Sequence, residues 1–220
     1  MNESLLKLIG YVNNDTAEFN KFKNNLMIYI HPKTQALIFD CDGTIADSMK
    51  IHNEAWNTIA KRYDFHLGPS DLADYNGIPT LQILEMLTTS NDKKKFDLHK
   101  MVCEKENLAE QKIDHIIGIQ PVVDLIKSYN KKLPMVVISG GMWKNVIKTL
   151  NVLGLKNHFE FVITADDDHP KKDTPEAFTL IADKLGVDYD KCHVFEDGKP
   201  GLINAVKANM MVTDIRIFYP

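Results

Sequence analysis

Two aspartates stand two residues apart where an apolar run gives way to a glycine turn. Asp40 and Asp42 directly follow the apolar residues 36–39, and Gly43 and Thr44 come next. Residues i and i+2 of a strand point to the same face, so the two carboxylates stay close and repel each other unless a cation neutralises them. Mg²⁺ meets this need, because it takes oxygen ligands and typically binds one or two carboxylates together with a substrate phosphate. One aspartate could then attack phosphorus while the other transfers a proton, although a strand followed by an ordinary Asp-Gly turn would give the same letters.

Three further apolar runs end in polar residues in the same way. The predicted strands are Ala36–Phe39, Met135–Ile138, Phe161–Thr164 and His193–Phe195. Helical patterns separate them, at Gln120–Tyr129, Met142–Leu153, Pro175–Leu185 and Gly201–Ala208. Strands that alternate with helices predict right-handed βαβ units and a parallel sheet covered on both faces, which binds ligands beyond the carboxyl ends of its strands. Those ends carry acids, lysines, or a serine with glycines, namely Asp40 and Asp42, Ser139-Gly140-Gly141, Asp166–Asp168 with Lys171 and Lys172, and Glu196-Asp197-Gly198.

Residues 49–117 interrupt this alternation with consecutive amphipathic helices. We predict helices at Ile51–Tyr63, Pro69–Tyr75, Thr80–Leu87 and Lys93–Gln111. The fold class is therefore α/β, with a Rossmann-like parallel-sheet core formed by residues 34–48 and 118–220 and a helical cap domain inserted at 49–117. Residues 1–33 form an N-terminal extension with a short amphipathic helix near Leu5–Val12, and they show no chemistry.

The composition limits the possible classes of function. The chain has 220 residues, 44% of them hydrophobic and 25% charged, with a formal net charge of −4. Short, dispersed lysine runs do not make the clustered basic face of a nucleic-acid-binding protein. Three cysteines without a CxxC pattern give no disulfide framework and no zinc site. No apolar run approaches the about 20 residues of a membrane span, and the N-terminus lacks the basic region of a secretory signal, so we expect a cytoplasmic enzyme.

Four motifs, taken in order, resemble the haloacid dehalogenase superfamily, in particular the branch of β-phosphoglucomutase and small sugar-phosphate phosphatases. The resemblance covers roughly residues 35–215. The motifs are Asp40-Cys41-Asp42-Gly43-Thr44, Ser139-Gly140-Gly141, Lys172 ahead of Thr174-Pro175-Glu176, and Glu196-Asp197-Gly198. Residues 45–48 and 52–56 extend the first motif in the style of that branch.

The resemblance implies a role for each motif residue. Asp40 would be the nucleophile that forms an aspartyl-phosphate, and Asp42 the general acid and base. Ser139 and the backbone N–H of Gly140 would hold the phosphoryl oxygens, although Ser139 could equally cap the following helix. Lys172 would neutralise the phosphoryl charge, with Lys171 as the alternative. Mg²⁺ would be bound by Asp40, by the backbone carbonyl of Asp42, and by Asp197, with Glu196 as a ligand or a supporting partner of a ligand.

Three further residues are implied to contact the substrate, and two positions depart from the family pattern. His52 would help to cover the active site, and Asn76 and Gly77 would lie on a cap loop that faces it. Asp173 stands where the lysine motif usually continues with proline, and we expect its side chain to face solvent. Thr80 stands where β-phosphoglucomutase has an arginine that holds the distal phosphate of its intermediate, which favours water as the acceptor.

We therefore predict a Mg²⁺-dependent phosphatase that acts on a small phosphorylated metabolite, in particular a sugar phosphate. The alternatives are a phosphosugar mutase of the β-phosphoglucomutase type, a haloacid dehalogenase, and a catalytically weak binding or regulatory protein with the same fold. Intact Asp42, Glu196 and Asp197 speak against dehalogenation, which needs no Mg²⁺. We expect a monomer, with a dimer as the alternative, and neither a nucleic-acid nor a membrane partner.

Overall fold

The computed structural model describes residues 28–67, 75–88 and 96–218, and within them five parallel strands form one sheet. The strands are β1 (Ala36–Phe39), β2 (Met135–Ile138), β3 (Phe161–Ile163), β4 (Cys192–Glu196) and β5 (Met211–Asp214). Their order across the sheet is β3-β2-β1-β4-β5. The chain thus moves outward from β1 to β3 and then returns to the other side of β1. Such a reversal opens a crevice beyond the carboxyl ends of β1 and β4.

Helices join the strands and cover both faces of the sheet. The helices are α1 (Met49–Tyr63), α2 (Thr80–Leu87), α3 (Leu98–Glu110), α4 (Gln120–Tyr129), α5 (Trp143–Val152), α6 (Glu176–Leu185) and α7 (Lys199–Lys207). Short 3-10 helices lie at Ile113–His115, Lys156–His158, Tyr189–Lys191 and Ile215–Phe218. Apolar side chains of α4 and α5 pack on one face of the sheet, and those of α6 and α7 pack on the other.

Strands β1 and β2 are apolar at every position because both of their faces are covered. On β1, Leu37 and Phe39 join the core under α4 and α5, whereas Ala36 and Ile38 join the core under α6 and α7. All four residues are fully buried. A continuous apolar run is typical of a parallel strand buried on both sides, and it places Asp40 at the point where the core ends.

Helices α1, α2 and α3 have a hydrophobic core of their own. Its buried members are Trp56, Ile59, Ile83, Leu84 and Met101. Helix α3 packs against both α1 and α2. At its start, the Asp97 carboxylate accepts a hydrogen bond from the backbone N–H of Lys100 at 3.0 Å, which caps the helix. A separate core is typical of an inserted unit; the division into catalytic core and cap stays a prediction.

Most predicted elements match the structure closely. The strands at 36–39 and 135–138 and the helices at 80–87 and 120–129 have the predicted bounds. All four predicted strands are present, and Met211–Asp214 adds a fifth at one edge that was not predicted. The helix predicted near Leu5–Val12 lies outside the described residues, as does all but the last residue of the one predicted at Pro69–Tyr75. In the described ranges, no helix is both long enough and apolar enough to span a bilayer.

Candidate active site

The pairing of β1 with β4 brings three acids together at the carboxyl end of the sheet. Phe39 pairs with Phe195, and the backbone N–H of Asp40 donates to the carbonyl of Phe195 at 3.0 Å. Carboxylate oxygens of Asp40, Glu196 and Asp197 all lie within 4.8 Å of one another, and all three residues are buried. The strand register fixes the positions of these three residues. Motifs that are far apart in the sequence therefore contribute to a single cluster of carboxylates.

Gly43 permits the close approach of the first and last motifs. Its φ angle is +84°, a left-handed conformation that glycine adopts without strain. A Cβ atom at this position would lie 2.4 Å from Oδ2 of Asp197. The neighbouring Thr44 hydroxyl donates to Oδ1 of the same carboxylate at 3.1 Å. The turn after Asp40 therefore both admits and orients Asp197.

Lys172 is the cation that contacts this cluster. Its Nζ atom lies 2.5 Å from Oδ1 of Asp40 and 2.8 Å from Oε2 of Glu196. Burial lowers the pKa of the ammonium group, but the two carboxylates outweigh this and hold that pKa above its usual value. Lys171, the alternative at the sequence level, instead donates to the backbone carbonyls of Ala165 and Asp167.

One ammonium group cannot neutralise three carboxylates. Burial, with the nearby Glu196 charge, raises the pKa of Asp40 in spite of Lys172. The same two causes raise the pKa of Asp197 to about 7. A divalent cation held by these oxygens would relieve the repulsion, and an all-oxygen donor set suits Mg²⁺. The side chain of Asp42 is not a member of this cluster.

Asp42 lies beside the cluster and has its own partners. Its Oδ1 atom accepts from the Ser48 hydroxyl at 2.6 Å and lies 3.0 Å from Nε2 of His52. Burial raises the pKa of Asp42, but the His52 and Ser48 contacts outweigh this and hold the pKa below its usual range. Nδ1 of His52 lies 2.9 Å from Nζ of Lys105. An ammonium group only donates, so Nδ1 must accept the hydrogen bond from Lys105. We therefore assign the ring proton to Nε2, which donates to Asp42.

Ser139 and Gly140 follow β2 and form the loop in front of α5. The Ser139 side chain does not cap this helix: its Oγ atom accepts from the backbone N–H of Gly141 at 3.0 Å. The first helical N–H, that of Trp143, donates instead to the carboxylate of Asp166 at 2.6 Å. As an acceptor in this turn, the Ser139 hydroxyl keeps its own proton available for a phosphoryl oxygen.

The loop before α2 lies directly on the core. Nδ2 of Asn76 is 3.5 Å from Oδ2 of Asp197. A Cβ atom at Gly140 would be 2.5 Å from the carbonyl oxygen of Gly77, and one at Gly198 would be 2.4 Å from that of Asn76. A side chain at position 140 or 198 would collide with a backbone carbonyl, so both positions require glycine.

Most of the predicted site residues line one cavity. Seven of the predicted site residues line it, namely Asp40, Asp42, His52, Asn76, Gly77, Ser139 and Gly140. Lys172 lines an adjoining cavity together with Ser139 and Gly140. Asp173, by contrast, is exposed and accepts a hydrogen bond from Nε2 of Gln82 at 2.6 Å, so its side chain lies at the surface as expected.

Sequence reasoning missed two charged residues of the cavity wall. Lys105 and Glu106 also line the cavity, although each is only 4% exposed. A signal was present, because Lys105 stands four residues from Met101 and from Ala109 on the buried face of α3. A charged side chain on the apolar stripe of an amphipathic helix is unusual, and it indicates a buried partner.

The chain is similar to known proteins over most of its length. The family model described as haloacid dehalogenase-like hydrolase matches residues 37–215. Fructose-1-phosphate phosphatase YqaB of Escherichia coli is 31% identical over 188 residues, which covers 86% of this chain and 100% of that protein. A phosphorylated carbohydrates phosphatase of Thermotoga maritima is 25% identical over 182 residues, covering 80% of this chain and 82% of that protein.

Solved structures give the same result. The crystal structure of β-phosphoglucomutase from Clostridium difficile superposes with a TM-score of 0.68 at 29% identity, covering 81% of this chain and 83% of that one. A family model that spans most of the chain, together with curated phosphatases that match over nearly their whole length, identifies the family. The chain therefore belongs to the haloacid dehalogenase-like hydrolases and is a phosphoric monoester hydrolase of that family.

Proposed function

We propose that this protein is a Mg²⁺-dependent phosphatase that hydrolyses a small sugar phosphate through an aspartyl-phosphate on Asp40. The observation that carries the proposal is the position of Asp40, which borders the cavity and contacts Lys172 at 2.5 Å. A carboxylate is a modest nucleophile, so catalysis of this kind depends on positioning and charge neutralisation. The similarity to phosphatases named for fructose 1-phosphate and phosphorylated carbohydrates supports a sugar phosphate as substrate.

Each residue then has a role that its contacts can support. An oxygen of Asp40 attacks phosphorus, and Asp42 gives its proton to the leaving oxygen. Asp42 next takes a proton from water, which attacks the aspartyl-phosphate and releases inorganic phosphate. The low pKa of Asp42 in the free protein keeps this carboxylate ionised, the form that can accept a proton in the second step, and the negative charge of a bound phosphate favours the protonated form that the first step needs.

Ser139, Gly140 and Lys172 would hold the phosphoryl group, and Asp40, Glu196 and Asp197 would hold the metal. Mg²⁺ bound there would supply positive charge to the phosphoryl oxygens. His52 orients Asp42 through the 3.0 Å contact. Asn76 and Gly77 close the cavity from the cap side, which excludes bulk water from the aspartyl-phosphate until the leaving group has gone.

The test is phosphate release from a panel of sugar phosphates and small phosphomonoesters with and without Mg²⁺. We expect release that stops under chelation and falls at least about a thousandfold in Asp40→Asn. The matched control is Asp173→Asn, which removes an exposed acid next to Lys172 and should stay within about twofold of the unaltered protein. Release that survives in Asp40→Asn would contradict the aspartyl-phosphate.

The same panel separates the remaining alternatives. The mutase has specific support in the likeness to a β-phosphoglucomutase structure. It would convert glucose 1-phosphate to glucose 6-phosphate faster than it releases phosphate, whereas a phosphatase shows the reverse. Binding of Mg²⁺ without turnover of any ester would favour a binding or regulatory protein, and halide release from a haloacid would favour a dehalogenase.

A further inference from the structure

The cap side of the cavity carries a buried ion pair that the proposed reaction does not use. Nζ of Lys105 lies 2.8 Å from Oε1 of Glu106, and both side chains are 5% exposed. Both residues come from α3 and line the same cavity as Asp40 and Ser139. In the proposed reaction Asp40 and Ser139 take the phosphate, so this pair faces the remainder of the substrate.

Hydrogen bonds hold the Glu106 carboxylate in place on both oxygens. Oε1 accepts from the Thr80 hydroxyl at 2.7 Å as well as from Lys105. Oε2 accepts from Nδ2 of Asn145 at 2.8 Å. Three donors to one carboxylate favour its ionised form. Glu106 is thus a fixed negative charge and not a group that turns away or takes a proton when an anion approaches.

The positive charge of Lys105 is balanced by the carboxylate of Glu106. Its ammonium group contacts Glu106 and Nδ1 of His52. Among the described residues that line this cavity, Lys105 is the only lysine or arginine. His52 is neutral in the tautomer that its two contacts require. The side of the cavity formed by Lys105, Glu106 and His52 therefore has no net positive charge that could bind a second anion.

We infer that Glu106 is a specificity-determining residue that restricts the cavity to phosphate monoesters whose remaining part is uncharged and bears hydroxyl groups. The inference rests on the proposed function, because it concerns the substrate of that same site. A second phosphate or a carboxylate would lose its hydration beside an ionised carboxylate and gain no free cation. Hydroxyl groups avoid this cost, and Asn53, Tyr75 and Asn76 on the same cavity wall offer them donors and acceptors.

A purely structural role for Glu106 makes a different prediction. Its contact with Asn145 joins α3 to α5, so loss of the carboxylate could loosen the closed cavity for every substrate alike. A structural defect lowers activity on all esters in proportion. A specificity role changes the ratio between esters that differ only in a distal charge, and that ratio is the informative measurement.

The experiment compares fructose 1-phosphate with fructose 1,6-bisphosphate as substrates of the unaltered protein and of Glu106→Gln. We expect the unaltered protein to favour the monophosphate at least about tenfold in kcat/KM, which is about 1.4 kcal/mol. In Glu106→Gln the unpaired Lys105 ammonium should reduce this preference at least about tenfold. Glu106→Asp keeps the charge and should keep the preference.

Glu104→Gln is the matched control. It removes the same charge from the same helix, but Glu104 pairs with Arg62 and does not line the cavity. Its preference should equal that of the unaltered protein. An unchanged preference in Glu106→Gln, or an equal shift in Glu104→Gln, would overturn the inference.

A second measurement needs no variant and decides the matter if Glu106→Gln fails to fold. Fructose 1,6-bisphosphate is tested as an inhibitor of monophosphate hydrolysis by the unaltered protein, and we expect an inhibition constant at least about tenfold above the KM of the monophosphate. A bisphosphate that binds as tightly overturns the inference and leaves the proposed function intact. Absence of phosphate release from every ester of the panel would overturn the proposed function, and the inference with it.

Discussion

At the scale of single residues, the Lys172 ammonium group stabilises the buried carboxylates of Asp40 and Glu196 when no metal ion is bound. It is 3% exposed and forms ion pairs with both Asp40 and Glu196. We predict that Lys172→Met loses at least about 100-fold in kcat and, in the presence of a chelator, about 3–5 kcal/mol in free energy of unfolding, because two buried carboxylates lose their cation. Urea denaturation with and without Mg²⁺ measures the second effect.

Magnesium and a neighbouring lysine provide the controls for this prediction. Mg²⁺ should stabilise Lys172→Met more than the unaltered protein, since a cation that binds the folded state compensates for the lost ammonium group. Lys171→Met should cost under about 1 kcal/mol and leave activity close to normal, because its contacts are two backbone carbonyls near the surface. Activity lost in Lys171→Met and kept in Lys172→Met would reverse the assignment.

The residues that the sequence made predictable are those whose spacing along the chain is fixed by strand ends. Asp40 and Asp197 each follow a strand, and sheet register alone brings them together. Lys105, Glu106 and Asn145 were not predictable as site residues, because they meet only when a helix of the insertion packs beside α5. The position of Lys105 on the buried face of α3 indicates a buried partner, but nothing in the sequence specifies that packing or shows that the partner lies in this cavity.

At the scale of elements, the loop at Asn76–Gly77 lies against the loop at Ser139–Gly141 that follows β2. This close contact explains why residue 140 is a glycine. We predict that Gly140→Ala lowers kcat/KM at least about tenfold while changing the free energy of unfolding by less than about 1 kcal/mol. The added Cβ would meet the carbonyl oxygen of Gly77 at 2.5 Å, and in the predicted division into core and cap the two loops belong to different units, so we expect the clash to displace one loop from the other without unfolding either unit. Steady-state kinetics and urea denaturation measure the two effects.

Gly186→Ala is the reciprocal control for Gly140→Ala. Gly186 ends α6 with a φ angle of +67° and has no atom within 4 Å of an added Cβ. Alanine there should cost about 1 kcal/mol in stability through backbone strain and leave kcat/KM unchanged. Unaltered kcat/KM in Gly140→Ala would mean that the two loops are not in contact during catalysis.

Elements with sharp boundaries in the sequence were also the predictable part of the fold. Strands β1 and β2 and helices α2 and α4 have the predicted bounds because polar residues or proline mark where their apolar patterns begin or end. Strand β5 was missed because it is an edge strand of four half-buried residues, Met211–Asp214, without the continuous apolar run that reveals a central strand.

At the scale of the whole molecule, a buried histidine makes folding stability depend on pH. His193 on β4 is 5% exposed; its Nε2 atom lies 2.8 Å from the Thr213 hydroxyl on β5, while Nδ1 has no hydrogen-bond partner in the described part of the chain. Burial, with a smaller contribution from His31, lowers the pKa of His193 from 6.5 to about 4. The protein therefore folds with a neutral imidazole at the junction of β4 and β5.

The direction of the pH effect follows from this shift. Between pH 6.5 and pH 4 the unfolded chain binds a proton that folded His193 does not, so stability is fully present above 6.5 and falls as the pH is lowered. We predict a loss of about 2 kcal/mol between pH 7.5 and pH 5 that is absent in His193→Gln. Urea denaturation of both proteins at each pH isolates this contribution, because the active-site acids titrate equally in the two. His66→Gln, which removes an exposed histidine, should keep the pH dependence of the unaltered protein, and parallel pH profiles for the unaltered protein and His193→Gln would show that His193 is not its source.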